Sequence, residues 1–307
     1  MSRCSRFLAS MEHQMTTRRH HSRKFLTVSW LLSVGCVLLV AAPSTCSAQK
    51  LKPEDIVTRH LESIGSAEAR AAVKTRIISG TSQVVFRTTP VGQAVGRAVL
   101  ASDGVKNLIG MSFPSPVYPR EELGFNGSSF IAAYSTPGAR SSLGSFLMTH
   151  DLIFKQGLMG GTLSSAWPLL DLTARGARLE YAGTKKVDNR TLHELKYTPH
   201  KGSDLKISLF FDEQSFQHVR TEYERVIAAP TGDRSYVAGV TRETRYKMVE
   251  EFSAFRKEGL LTLPHTYKIQ LAIDTPSGTF LADWTISLTQ FVFNEPIDPN
   301  SFSISSK

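Results

Sequence analysis

Two neighbouring stretches near the C-terminus, "LPHTYKIQLAI" (263–273) and "GTFLADWTISL" (278–288), restrict the fold more than any other feature of the chain. In the first, Leu263, His265, Tyr267, Ile269, Leu271 and Ile273 alternate with Pro264, Thr266, Lys268, Gln270 and Ala272. In the second, Phe280, Ala282, Trp284, Ile286 and Leu288 alternate with Leu281, Asp283, Thr285 and Ser287. A period of two belongs to strands, because successive side chains leave opposite faces of a pleated backbone. The intervening "DTPSG" is a turn, so the pair reads as a hairpin with one apolar face and one mostly polar face. Residues 178–184, 190–198, 204–212, 216–226 and 241–255 behave alike, joined by "VDN", "HKGSD", "DEQS" and the longer "APTGDRS". From Thr75 onward most of the chain reads as strands without intervening helices, which predicts an antiparallel meander.

One face of such a sheet must be covered. Closure into a barrel is one solution; a curved open sheet with helices in its concavity is the other. The chain supplies helices for the second. In "KPEDIVTRHLESIGS", Pro53 suits a first turn, Glu54 and Asp55 suit the positive end of the helix dipole, and Gly65 suits the end. Ile56, His60, Leu61 and Ile64 then share a face, and a shorter helix over "AEARAAV" follows. In "SLGSFLMTHDLIFKQG", Leu143, Phe146, Leu147, His150, Ile153 and Phe154 fall at helical spacing, with Gly157 placed to end the helix. Beyond it, "GLMGGTLSSAWPLL" reads as a flexible joint leading to a second apolar piece carrying Leu163, Trp167, Leu169 and Leu170.

The first 48 residues are of another kind. A basic stretch, "RRHHSRK" (18–24), precedes an apolar run from Phe25 to Ala42, then Pro43 and the small residues "STCSA". That order predicts a secretory signal peptide cut after Ala48, with Met15 an alternative start; an uncleaved membrane anchor is the other reading of the apolar run. Cys4, Cys36 and Cys46 all fall in this leader, so the exported chain relies on its own core and has no disulfide. The leader also holds six of the 36 basic residues and one of the 27 acidic ones, which lowers the net charge from +9 to +4. That residue of positive charge is no argument for nucleic-acid binding. The expectation is a periplasmic, monomeric domain over 49–307.

Catalytic and metal motifs are scarce. His60, His150, His193, His200, His218 and His265 are scattered, with no HExxH or CxxC, and no Gly-x-Ser-x-Gly elbow occurs. His150 and Asp151 are adjacent, about 100° apart on a helix, so they cannot orient one another as a base and its partner. The Gly-rich run lacks the spacing of a phosphate-binding loop. The prediction is therefore a protein without cofactor, metal or catalytic residues.

With the helix "IVTRHLESIGSAEARAAVKTRIISGT", the long meander, the helical interruption and the closing "FVFNEPIDPNSFSI", the chain resembles the LolA-like family of periplasmic lipoprotein carriers and their relatives. The resemblance implies a strongly curved antiparallel half-barrel, mainly β within an α+β class, with helices of about 140–170 packed in the concave face as a lid. It implies acyl chains of a lipid or lipoprotein bound between lid and sheet, and a delivery partner at the inner or outer membrane. It also implies one arginine that holds the lid closed; Arg87, Arg97 and Arg220 are candidates that the sequence does not separate. This chain is longer than a typical carrier, mainly over 100–177. On the sheet the expected cavity walls are Tyr267, Ile269, Leu271, Trp284, Ile286 and Leu288; on the helical segment they are Phe146, Leu147, Ile153, Phe154 and Trp167. Alternation alone does not distinguish such walls from a filled core. An envelope sensor or scaffold that uses the half-barrel for protein contacts is the alternative, and an unrecognised hydrolase stands behind both.

Overall fold

A computed structural model describes residues 51–88, 91–228 and 243–305. The expected leader and the "APTGDRS" connection lie outside the described residues. Helix α1 (Pro53–Ile64) begins with Pro53, and the Lys52 amide donates to Asp55 Oδ2 at 3.1 Å. It buries Ile56, His60 and Ile64, the expected face. Helix α2 (Ala67–Ala72) is capped by the Ser66 hydroxyl, which accepts from the Ala69 amide.

Twelve strands follow: β1 (Thr75–Phe86), β2 (Gly92–Asp103), β3 (Lys106–Ser112), β4 (Arg120–Phe125), β5 (Phe130–Ala132), β6 (Arg178–Val187), β7 (Arg190–Thr198), β8 (Lys206–Asp212), β9 (His218–Ile227), β10 (Thr244–Glu258), β11 (Leu261–Thr275) and β12 (Gly278–Phe293). They make one open antiparallel sheet in the order β5-β4-β3-β2-β1-β12-β11-β10-β9-β8-β7-β6. The fold is thus two meanders sewn together where β1 pairs with β12, from Arg76 opposite Phe293 to Phe86 opposite Ala282. The expected hairpin is β11–β12, with Tyr267 opposite Ile286 and Ile269 opposite Trp284. Part of the middle of the chain, where its added length lies, is sheet: β3, β4 and β5 extend it beyond β2.

This topology dictates where the helical segment lies. The chain leaves β5 at one edge of the sheet and must re-enter as β6 at the other. On the way it forms α3 (Ser142–Thr149), α4 (Leu152–Lys155), two short 3-10 turns (Gly161–Leu163 and Pro168–Leu170) and α5 (Leu172–Arg175). The single helix expected over 143–157 is broken at His150, whose φ of −118° and ψ of 49° are not helical. Gly157, at a φ of +74°, then turns the chain so closely past Ala166 that a Cβ would lie 1.9 Å from the Ala166 carbonyl oxygen.

The segment also measures the curvature. Phe154 stacks on Phe130 of β5 with ring centroids 4.4 Å apart, while Gln156 accepts from the Tyr197 hydroxyl of β7 at 2.7 Å. In a flat sheet β5 and β7 would stand about 48 Å apart, ten spacings of roughly 4.8 Å. Residues two apart in sequence touch both, so the sheet is curled into a half-barrel around them.

The C-terminal "NEPIDPNSFSI" folds back against β3 and β4. Phe302 is buried, and Gly124 lies so close that a Cβ there would sit 2.7 Å from the Ile304 side chain. Phe302→Ala should lower unfolding stability by about 3 kcal/mol, read as a fall in the urea midpoint with the slope unchanged.

Candidate functional site

The inner face of the half-barrel is apolar except at a few positions, several of which converge on one stretch. Residues 158–164, Leu-Met-Gly-Gly-Thr-Leu-Ser, are all buried, although their backbone is irregular. Buried irregular backbone has amides and carbonyls that neither a helix nor a ladder satisfies, and each needs a partner. The sheet provides them strand by strand. Arg76 of β1 donates through Nη1 to the Thr162 carbonyl at 2.5 Å and the Ser164 carbonyl at 3.3 Å. Ser102 of β2 accepts from the Ser165 amide at 2.9 Å, and Asn107 of β3 donates to the Met159 carbonyl at 3.0 Å. From the far side, Glu250 of β10 accepts from the Gly160 amide at 2.8 Å. Helix α1 adds His60, whose Nε2 accepts from the Trp167 indole at 3.0 Å.

Arg76 is 2% exposed, and its hydrogen-bond partners are carbonyls rather than a carboxylate. Burial pulls the guanidinium down to about 10. A buried cation without a counter-ion costs several kcal/mol, so its position is better explained by the segment it holds than by fold stability. Glu250 is fully buried too, with the Tyr223 and Tyr267 hydroxyls donating at 2.6 and 2.5 Å. Burial raises its pKa, and the three donors oppose the rise. We call this set the latch.

None of the three arginines considered from sequence belongs to it. Arg220 is bound to Glu222 and Glu251, Arg87 pairs with Asp283, and Arg97 is exposed. The signal for Arg76 was nevertheless in the chain: in "TRIISGTSQVVF" it occupies the alternation of Ile78, Ser82 and Val84, a charge on the buried face. Glu250, beside Met248 and Phe252, breaks its strand's pattern in the same way. The Gly-rich run expected to be a flexible joint is the pinned centre of the site. Small residues let its backbone approach the sheet; a Cβ on Gly161, at a φ of +50°, would meet His218 Nδ1 at 2.9 Å.

All eleven residues predicted as walls, from Phe146, Leu147, Ile153, Phe154 and Trp167 to Tyr267, Ile269, Leu271, Trp284, Ile286 and Leu288, are at most 4% exposed and share one apolar core. Sheet and helical segment therefore meet as expected, packed directly on one another. Tyr267 has an additional part in the latch, and Trp284 donates its indole N–H to the Tyr118 hydroxyl at 2.9 Å.

Beneath Trp284 a second buried carboxyl, Glu121, accepts from the Tyr118 hydroxyl at 2.6 Å, and burial raises it to about 7. Trp284 and Tyr118 also line a cavity of about 350 Å³ at one end of the sheet, with Phe86, Ala94, Val117 and Phe280. His150 is a buried residue against Phe146, and Asp151 pairs instead with Lys155 at 2.5 Å. Among the described residues no group of three or more His, Cys, Asp or Glu is placed to hold a metal ion.

Solved structures similar to this chain include a DUF1329 family protein from Desulfovibrio piger, at 11% identity over 81% of this chain and 96% of that one, with a TM-score of 0.43. A putative outer membrane lipoprotein-sorting protein domain from Vibrio parahaemolyticus shares 14% identity over 80% and 97%, with a TM-score of 0.42. A LolA superfamily protein from Nitrosomonas europaea shares 10% over 81% and 97%, also at 0.42. No family model matches the chain, and no curated protein matches it.

Arg76→Met should release the segment locally. By hydrogen-exchange mass spectrometry the amides of 160–165 should exchange about tenfold faster or more, the loss of at least one charge-assisted hydrogen bond, while those of β11 stay protected. The histidine makes stability depend on pH. Burial lowers His60 to about 4 from 6.5, so the unfolded chain binds more protons between those values. Stability is full above 6.5 and falls as pH drops toward 4, by on the order of 3 kcal/mol from this group. His60→Gln should flatten that acid limb in denaturant titrations from pH 7 to 4.

Proposed function

We propose that this chain is an exported, non-catalytic binding protein for an acylated or otherwise hydrophobic ligand, a lipid or the acyl chains of a lipoprotein. In this reading the segment between β5 and β6 is a lid. The observation that carries it is the latch: the buried stretch is held at its backbone atoms by a handful of polar side chains, so opening it requires breaking those few bonds and uncovering the apolar side chains packed beneath it. Lifting it exposes the apolar inner face of the sheet, with six of the residues predicted as walls, and uncovers the other five on the segment itself.

The magnitudes support an exchange of lid for ligand. Uncovering the segment's buried side chains, Phe146, Leu147, Ile153, Phe154, Leu158, Met159, Leu163 and Trp167, costs roughly 1.5–3 kcal/mol each, or about 12–24 kcal/mol together. An acyl chain regains ~0.8 kcal/mol per buried CH₂, so about 15–30 methylenes offset it. A ligand with two long chains meets that requirement, and a small polar one does not. Export to the periplasm, a monomeric state and handover to a membrane partner belong to the same reading.

A second reading, an envelope sensor or scaffold using the half-barrel for protein contacts, draws on one observation: the concave face is filled, with the wall residues packed against the lid.

Native mass spectrometry decides between them. The full chain is expressed in a bacterial host with export and purified without detergent, alongside Arg76→Met. Co-purifying acyl species near one per protein, increased in Arg76→Met, are the expected result. A clean protein mass for both, persisting after incubation with envelope lipids, would remove the carrier reading and leave the scaffold.

A further inference from the structure

The cavity at the end of the sheet shares no residue with the latch and is open while the latch is closed. Its walls are apolar on one side: Phe86 of β1, Val117 of the β3–β4 connection, and Phe280 and Trp284 of β12. Its other side is polar and comes from the loop that leads into α3. Ser135 is 93% buried by its 7% exposure, and its Oγ has no hydrogen-bond partner. A hydroxyl buried without a partner costs about 1–3 kcal/mol, which a bound acceptor would recover.

Arg140, also in the lining, donates through Nε to the Ala132 carbonyl at 2.7 Å and lies 4.6 Å over the Tyr134 ring. That anchors the guanidinium while leaving its terminal nitrogens for another acceptor; no ion pair to it is found among the described residues. Ser141 and Ser142 line the same side at the start of α3, where the Ser141 hydroxyl accepts from the Gly144 amide and is hydrogen-bonded to Glu121. The carboxyl of Glu121, at the Tyr118 hydroxyl, is raised by burial to about 7, so below that pH little negative charge behind the wall opposes an anion.

An apolar wall facing a cation and an unsatisfied hydroxyl selects a molecule with both characters. The geometry points to a binding site for a single-chain anionic amphiphile, its head on Arg140 and Ser135 and its first carbons against Phe86, Phe280 and Trp284. A volume of about 350 Å³ suits the head and the inner part of one chain, near the lower end of small-molecule sites.

Isothermal titration calorimetry of the purified protein tests this, with dodecanoate, dodecanol and dodecyltrimethylammonium as probes below the concentrations at which they form micelles. The expected result is one equivalent of dodecanoate, bound about tenfold more tightly than either other chain, the worth of one charge-assisted contact. Arg140→Gln should abolish that preference, Arg140→Lys should keep part of it, and Ser135→Ala should weaken dodecanoate several-fold. Dodecyl phosphate, run in parallel, distinguishes a carboxylate head from a phosphate one. Absence of dodecanoate binding, equal affinity for all three chains, or a preference that survives Arg140→Gln overturns the assignment. Should the variants not fold, the comparison of three heads on the unaltered protein decides alone. Because the cavity is open under a closed latch, dodecanoate binding without co-purifying lipid would sink the carrier reading and leave this site standing, and the reverse result would do the opposite.

Discussion

Buried backbone must be hydrogen-bonded, and in this protein that requirement organises the interior. A chain that passes from one edge of a twelve-stranded sheet to the other has to cross the concave face. It crosses as irregular structure, which has no ladder of its own. Arg76, Ser102, Asn107 and Glu250 are the answer where the segment's own turns leave groups unbonded: polar residues on four strands, aimed at backbone groups of five residues between Met159 and Ser165. Met159 and Gly160 are bonded to β3 and β10, strands five places apart in the sheet, so the same contacts that satisfy the segment also draw the sheet around it.

The two kinds of buried titratable group work against each other with pH. His60 and His218 are held in their neutral forms by burial, so stability is lost there as the pH falls. Glu121 is also held neutral, but for a carboxyl the consequence is reversed. Its contribution is full below 4.5 and is lost as pH rises toward about 7. The interior therefore contains opposing slopes across the weakly acidic range, with each slope belonging to a different part of the site: the histidines lie against Trp167, and the carboxyl lies against Tyr118 and Ser141.

What the sequence disclosed follows from which interactions are local. The β11–β12 hairpin, the strands from β6 onward and helix α1 are written in periods of two and 3.6, and each lies where those periods place it. That one apolar face needs a cover left a closed barrel and a curved open sheet as alternatives, and the pattern alone did not choose between them. The latch was not legible in that way. A lone Arg76 or Glu250 on an apolar face reads as noise in a hydrophobic pattern until the carbonyl or amide it meets, nearly ninety residues away, is known. The same holds for the break at His150, where local spacing favoured a continuous helix and the passage across the sheet imposed a turn. The eleven predicted wall residues were legible as buried; whether they enclose space was not, because burial pattern is identical for a wall and a core.

The seam between β1 and β12 has a consequence for how the chain is made. Ser79 hydrogen-bonds to Gln290 across 211 residues of sequence, so the first meander is complete in synthesis long before its partner strand exists. Until then β1 offers an unpaired edge, with an apolar face beside it. Contacts of such long range close slowly. A protein built in this order reaches its native sheet only once its last strand has been delivered.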